Sequence, residues 1–183
     1  MLSPTEATKT WLEKFVIGLN LCPFAAVPFR KNEIRFVEIP FTNVDEISKV
    51  VRQEIKSLLN VGTDPWTTTL MILQNGLSEF GEFNDYLDSV DLIIDEEEAL
   101  GVIQAASFHP EYLFGGEDPD SQSHFTNRSP YPLLHLIREE DIDHAKLTYP
   151  GINEIPRNNI EKLKGLSKDA LAQQLKDLIK KAD

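Results

Sequence analysis

Cysteine is almost absent from this chain: Cys22 is the single cysteine among 183 residues. One cysteine cannot form a disulfide within the chain, so the disulfide-rich secreted scaffolds are excluded. A reducing compartment fits this usage, and we expect a cytoplasmic protein. A chain of this length buries roughly 70% of its unfolded surface on folding, so one domain spanning residues 1–183 needs neither a disulfide nor a metal for stability.

Positive charge is also scarce. Lys and Arg number 18 against 30 Asp and Glu, which gives a formal net charge of -12 at pH 7. This charge repels the phosphate backbone of nucleic acids and the anionic surface of membranes, so we expect neither as a partner. A local basic pocket is compatible with the same total charge, and a small anionic molecule therefore stays among the expected partners.

Three further features are missing. The apolar stretch from Phe15 to Phe29 is only about fifteen residues long and contains Pro23 and Pro28, so it is too short to cross a bilayer. The residues before it carry charges of both signs, unlike the n-region of a signal peptide. The chain contains no internal repeat and no Gly-x-Gly-x-x-Gly or Walker phosphate loop, so the sequence identifies no cofactor.

The elements that are present alternate between strands and helices. A capping box, Ser3-Pro4-Thr5-Glu6, opens a first helix that runs to about Leu19. Short apolar or β-branched runs predict strands near residues 34–39, 67–74 and 101–108, with helices at 43–59 and about 83–94 between them. Strands separated by helices are typical of parallel sheets. We therefore predict an α/β fold, a single domain with a small, largely parallel sheet flanked by helices.

The pattern changes after the third strand. Residues 109–128 form a long loop rich in Pro, Gly, Asp, Ser and His, and loops of this length in a compact domain are usually functional or disordered. We expect it to lie over the strand ends. Ser129-Pro130 then predicts the start of a helix of about ten residues, followed by C-terminal helices near 155–165 and at 167–183.

Three segments of the chain resemble those of a known family. They are Asn20–Phe24 (Asn-Leu-Cys-Pro-Phe), Ala106–Pro110 (Ala-Ser-Phe-His-Pro) and Thr126–Arg138. With them the chain resembles a bacterial family catalogued as domain of unknown function 1415. The resemblance runs from Thr10 to about Leu166 and leaves the terminal helix, 167–183, outside. It implies a soluble, single-domain bacterial protein and brings no established activity with it.

His109 and Cys22 are the candidate catalytic residues outside the helix predicted at Ser129. His109 directly follows the third strand, where open α/β sheets place their ligands, and it can act as a general base, an oxyanion donor or a metal ligand. The alternative is a histidine that fixes the loop through its backbone. Cys22 is a candidate nucleophile or redox thiol, and the alternative is a small buried apolar residue.

Asn127, Arg128 and Ser129 stand where that helix is predicted to begin. Free N–H groups at a helix start and the forked guanidinium of Arg128 favour a site for phosphate or carboxylate. The alternative is a simple helix cap, with Arg128 paired to Asp118 or Asp120.

Tyr131, His135 and Arg138 follow at helical spacing, so we expect them to share one polar face of the same helix. His135 can then meet His109 across a cleft and join the catalytic residues, while Tyr131 and Arg138 extend the binding surface. The alternative is an exposed polar stripe with no function.

These residues predict a small-molecule enzyme or binding protein, with hydrolase or transferase chemistry on an anionic substrate as the favoured version. Arg128 would hold the anion, His109 would transfer a proton, and Cys22 or a water would attack.

Two alternatives stay open. One is a metal-dependent enzyme that uses His109, Glu111 and a second histidine, His124 or His135. The other is a non-catalytic interaction module that presents the loop 24–29 and a terminal apolar stripe. The residues of that stripe are Leu171, Leu175, Leu178 and Ile179.

Overall fold

A four-stranded sheet lies at the centre of the structure, a computed structural model that describes residues 2–60, 67–149 and 151–179. The strands are β1 (Ile34–Ile39), β2 (Thr68–Leu73), β3 (Ile103–Phe108) and β4 (Leu133–Arg138), in the spatial order β1-β2-β4-β3. β1 and β2 are parallel, while β4 is antiparallel to both β2 and β3. β1, β2 and β3 therefore run in one direction and β4 runs against them. The predicted α/β fold is confirmed, with its small sheet, flanking helices and C-terminal helices.

The fourth strand corrects the sequence prediction. Residues 133–138 lie in a strand, not in the helix predicted from Ser129-Pro130. Leu133, Leu134 and Leu136 are fully buried on alternating faces, because β4 is an inner strand covered on both sides. Such strands read as continuous apolar runs, and periodicity cannot distinguish a short run of this kind from a buried helix.

Helices cover both faces of the sheet. On one face lie α3 (Val44–Leu59) and α4 (Phe80–Glu96), which bury a core with alternate strand residues such as Met71 and Leu134. On the other lie α1 (Pro4–Trp11), α6 (Ile155–Lys164) and α7 (Lys168–Ile179), which pack with strand residues such as Leu70 and Leu133. We call these the α3/α4 face and the α1/α7 face. The remaining helices are α2 (Ala26–Lys31) and α5 (Glu139–Thr148).

The predicted starts of α1 and α3 are close to those observed. The Ser3 hydroxyl accepts from the Glu6 N–H, and the Glu6 carboxylate accepts from the Ser3 N–H, so the capping box is confirmed. α1 ends sooner than predicted and continues as a π-helix, Leu12–Ile17. α3 is capped by Asn43, whose Oδ1 accepts from the backbone N–H of Asp45 and Glu46.

The terminal apolar stripe packs on the chain itself. Leu171, Leu175 and Leu178 of α7 are buried in the core of the α1/α7 face, so this part of the interaction-module hypothesis has no exposed surface to rest on. The side chain of Ile179 and residues 180–183, with which the predicted terminal helix ends, lie outside the described residues. Among the helices described, none has the length and apolarity that crossing a membrane requires.

Gly76 and Gly81, which follow β2, differ in how closely the surrounding atoms pack. A Cβ at Gly76 would lie 2.8 Å from the Phe41 carbonyl oxygen and 2.9 Å from the Ile47 Cδ1, whereas a Cβ at Gly81 in α4 meets nothing within 4 Å. We expect Gly76→Ala to lower the free energy of unfolding by about 1–3 kcal/mol through overpacking. Gly81→Ala should leave it unchanged or raise it by up to about 1 kcal/mol. Urea unfolding measures both, and equal stability of the two variants would contradict the close approach at Gly76.

Candidate functional site

The segment 109–128 lies at the edge where β2 and β3 end. His109 directly follows β3, and its Nε2 is 3.3 Å from the carbonyl oxygen of Leu77, beyond the end of β2. The His109 N–H donates to the Asn127 carbonyl, and the His109 carbonyl accepts from the Ser129 N–H. Both ends of the loop are therefore tied together at His109. The predicted position of the loop over the strand ends is confirmed.

The His109 ring is held as a neutral donor. Its Nδ1 accepts the backbone N–H of Glu111 at 3.0 Å, so the ring proton sits on Nε2 and points to the Leu77 carbonyl. The residue is 0% exposed, and burial lowers the pKa of His109. Both ring nitrogens thus bond to backbone, which is the loop-fixing arrangement that the sequence left as the alternative.

Aromatic rings continue from His109 into the loop. Consecutive rings lie 5.0–6.0 Å apart between centroids, within the range of favourable aromatic contacts. Along this chain of contacts the rings follow in the order Phe83, His109, Phe80, Tyr112, Phe114 and His124. The loop is therefore packed through side chains, although it contains little regular structure.

His124 closes the other end of this chain of rings. It lies in the 3-10 turn Gln122–Thr126 and is 0% exposed. Its Nδ1 accepts the Phe114 N–H at 3.1 Å, and its Nε2 donates to the Asp118 carbonyl at 2.8 Å. Like His109, it bonds to backbone through both ring nitrogens.

These hydrogen bonds occupy the histidine nitrogens that the metal hypothesis requires as ligands. His109 and His124 use both ring nitrogens for backbone contacts, and His135 belongs to the opposite face of the sheet. In the part of the chain that the structure describes, no group of three or more His, Cys, Asp and Glu side chains is placed to hold a metal ion. The site predicted from His109, Glu111 and a second histidine is therefore not assembled.

Arg128 and Ser129 stand in a different setting from the one predicted. No helix begins at Ser129, whose buried hydroxyl donates instead to the Tyr131 carbonyl at 2.6 Å. The Arg128 Cζ lies 4.5 Å from the centre of the Phe125 ring, and Nε donates to the Tyr112 carbonyl at 3.4 Å. The anion site therefore loses its helix N-terminus and keeps only the guanidinium.

The Arg128 guanidinium is half-buried, and this burial lowers the pKa of Arg128, with Glu111 opposing the shift. The expected pairing with Asp118 or Asp120 does not form, because the Asp118 carboxylate accepts the Asp120 N–H and Asp120 pairs with Lys168. No described carboxylate forms an ion pair with Arg128.

Tyr131, His135 and Arg138 do not share a face, which corrects the prediction. Side chains alternate along a strand, so residues three apart in β4 point to opposite sides. His135 lies on the α1/α7 face, beside Thr68, while the Arg138 Nε donates to the Leu58 carbonyl of α3, 3.1 Å away. Tyr131 precedes the strand and packs partly buried on the α1/α7 side.

His135 is a partly buried, neutral imidazole. The Thr68 hydroxyl donates to the Leu136 carbonyl at 2.7 Å, so the His135 Nε2, 2.6 Å from that hydroxyl, is the donor to it. Burial lowers the pKa of His135 to about 4. The ring therefore carries no charge at neutral pH.

A cavity of about 610 Å³ lies between the loop and the α1/α7 side of the molecule. Apolar side chains such as Val16, Phe108 and Ile160 form much of its wall. Of the predicted site residues, Cys22 and Asn127 line it, whereas His109, Arg128 and His135 do not. Its polar wall residues are Cys22, Glu117, Ser123, Thr126, Asn127 and Asn159.

Cys22 stands in the turn before α2 and is half-buried. Burial raises the pKa of the Cys22 thiol, and backbone hydrogen bonds from Phe24 and Ala25 offset part of this rise. The thiol is therefore protonated at neutral pH and is a weak nucleophile, because the thiolate is the reactive form.

Asn159 of α6 is one of the polar wall residues that were not among the predicted site residues. It is 9% exposed, and its Nδ2 donates to the Leu21 carbonyl at 2.7 Å. No described residue donates to its Oδ1. The signal was an amide on the apolar side of a helix, four residues before the buried Leu163.

The comparisons with known proteins identify a family and nothing more specific. A family profile described as "Protein of unknown function (DUF1415)" matches residues 3–173. The matched region includes the first part of α7, which the sequence analysis placed outside the resemblance. No curated protein and no solved structure matches the chain significantly. Each segment behind the predicted resemblance contributes to the cavity wall, through Cys22, Phe108 and Asn127.

The burial of His135 predicts a specific pH dependence of stability. Its folded-state pKa of about 4 lies below the ordinary value near 6.5, so the unfolded chain binds a proton that the folded chain excludes. Stability from this residue is complete above about pH 6.5 and is lost as the pH falls toward 4. Between pH 7.5 and pH 4.5 we expect the wild type to lose about 2–3 kcal/mol more than His135→Gln.

Urea unfolding at the two pH values measures this difference. Glutamine keeps an N–H donor for Thr68 but does not titrate. The matched control is His144→Gln, at an exposed position in α5, which should follow the wild type. Parallel pH profiles for wild type and His135→Gln would show that the ring is not excluded from protonation.

Proposed function

This chain belongs to the DUF1415 family of unknown function, and we propose that it binds a small, largely apolar molecule in the cavity beside Cys22. The cavity itself is the observation that carries the proposal. Its volume of about 610 Å³ is within the range of pockets that hold small ligands, roughly 300–1,000 Å³. The cavity is open to solvent, so a small molecule can enter it.

The wall has the composition of a ligand site. Such sites combine mainly apolar surface with a small number of polar groups that orient the ligand. Phe108 and Phe114 supply broad apolar surface, and the polar groups of Cys22 and Asn159 stand among such residues. This arrangement supports binding of a molecule that is apolar over most of its surface.

Binding is supported better than catalysis. The hydrolase or transferase hypothesis needs His109 as a proton carrier and Cys22 as a nucleophile. The His109 ring bonds to backbone through both nitrogens and lies outside the cavity wall, and burial raises the pKa of Cys22. What supports a reaction is the position of the Cys22 thiol in the wall, where a bound electrophile would contact it.

An anion site at Arg128 is a second candidate. The half-buried Arg128 forms no ion pair, although the charge of Glu111 acts on it, and a bound anion would relieve the remaining cost of its burial. No described carboxylate pairs with Arg128, and no described residue accepts a hydrogen bond from its terminal nitrogens. The guanidinium fork suits a carboxylate or phosphate. This observation supports the anionic partner expected from the sequence, without the helix N-terminus.

We expect the neutral fluorescent probe N-phenyl-1-naphthylamine to bind in the cavity. A Cβ at Gly115, in the wall, meets nothing within 4 Å, so Gly115→Trp adds bulk at the cavity without a backbone clash. This variant should bind the probe about tenfold more weakly, or not at all. Fluorescence titration measures the affinity.

Gly81→Trp is the matched control. Gly81 also has free space around a Cβ, but it lies in α4, outside the wall. It should bind the probe like the wild type. Saturating probe should also slow the alkylation of Cys22 by N-ethylmaleimide, read by mass spectrometry. Equal probe binding by Gly115→Trp and Gly81→Trp would place the probe elsewhere and count against the proposed site.

The anion candidate predicts a thermal shift with inorganic phosphate at constant ionic strength. A ligand at ten times its Kd stabilises by about 1.4 kcal/mol, which raises the Tm of a protein of this size by about 3 °C. Arg128→Gln should abolish the shift, while Arg157→Ala, at an exposed arginine of α6, should retain it. A full shift in Arg128→Gln would place the anion elsewhere.

A further inference from the structure

We infer from the polar atoms of the cavity wall that its ligand is an apolar amine, a cation with an apolar body. The inference rests on the proposed binding function and names the ligand class of the same site. It depends on an unused acceptor, on donors that are already engaged, and on the sign of the charge at the wall.

The unused acceptor is the Oδ1 of Asn159. The side chain is 9% exposed, and its amide nitrogen is occupied by the Leu21 carbonyl. Among the described residues the Thr69 hydroxyl is the one fully enclosed side-chain polar atom without a partner, so the Asn159 Oδ1 keeps some accessible surface. Asn159 is one of the residues that line the cavity, so its oxygen is the acceptor that we assign to the ligand. A ligand satisfies such an oxygen by donating a hydrogen bond.

Several donors in the wall are engaged within the protein. The Thr126 hydroxyl donates to the Ser123 carbonyl at 2.8 Å. The Asn127 Nδ2 donates to the Ser107 carbonyl at 3.0 Å, and the Ser123 hydroxyl is 2.7 Å from that of Ser121. These hydroxyl and amide groups are therefore less available to a ligand with a strong acceptor, such as a carboxylate. A ligand with an N–H or O–H finds the free oxygen of Asn159.

The charge of the cavity wall favours a cationic hydrogen-bond donor over a neutral one. Glu117 lines the cavity, and no described residue forms an ion pair with it. Neither lysine nor arginine is among the wall residues, and the nearby Lys162 donates to the Leu19 carbonyl. The Cys22 thiol is neutral, so it does not alter this balance. Glu117 is therefore the charged residue of the wall, in a chain of net charge -12.

The apolar residues of the wall determine the size and polarity of the rest of the ligand. Val16, Phe108, Phe114 and Ile160 present apolar surface, which a small hydrophilic amine would leave uncovered. An aromatic or branched aliphatic body of modest size fits this surface and places its ammonium group among Asn159 and Glu117.

Three naphthalene probes of the same size test the ligand class: 1-naphthylmethylamine, 1-naphthalenemethanol and 1-naphthoate. Each is titrated against bound N-phenyl-1-naphthylamine. We expect the amine to bind tightest, about two- to fivefold better than the alcohol, as one exposed ion pair allows, and the carboxylate to bind weakest. Glu117→Gln should remove the advantage of the amine over the alcohol. Glu111→Gln, at an exposed acidic residue of the same loop outside the wall, should retain it.

The outcomes separate this inference from the proposed function. Carboxylate binding equal to or tighter than amine binding would overturn the ligand class and leave binding in the cavity intact. An undiminished preference for the amine in Glu117→Gln would also overturn the charge argument. If N-phenyl-1-naphthylamine itself does not bind, the proposed function fails, and the inference fails with it.

Discussion

The central strand β4 is the element on which the rest of the structure depends. It hydrogen-bonds to β2 on one side and β3 on the other, and without it these two strands would have no contact within the sheet. The chain enters β4 beside the end of β2, where the Pro132 carbonyl accepts the Leu73 N–H. On its way there, the segment 127–131 passes His109. The pairing of β4 therefore holds the loop 109–128 at the strand ends.

Neutral histidines hold that loop in place. His109 and His124 each accept a backbone N–H at Nδ1 and donate to a carbonyl from Nε2, so each replaces two backbone contacts that a loop without regular structure lacks. Charging either ring would turn the accepting nitrogen into a donor and break one of these bonds. The two rings therefore have a structural role. The part of the loop that can contact a ligand is the part that lines the cavity.

Most of the fold follows from local sequence patterns, whereas most of the site does not. β1, β2 and β3 are predictable because each is a short apolar run between helical stripes. β4 is not, because Ser129-Pro130 resembles a helix start and the polar residues that follow, Tyr131, His135 and Arg138, stand at helical spacing. Since residues 133–138 form a strand, the helix start at Ser129 and the shared face of His135 and Arg138 are both lost. Cys22 and Asn127 were predicted separately, and only tertiary packing brings them to one cavity. Asn159 could have been found as an amide on a buried helix stripe.

The burial of titratable side chains determines where the region around the cavity carries charge. Burial favours the neutral forms of Cys22, His109 and His135, so they provide shape and hydrogen bonds at neutral pH, and no charge. Glu117 and Arg128, the charged residues of the two proposed sites, both belong to the loop region that follows β3 and have no described ion-pair partner. Selection of a ligand by charge therefore depends on this segment keeping its position. Since the hydrogen bonds of two imidazole rings to the backbone fix that position, recognition of a charged ligand depends on these bonds as much as on the charged side chains.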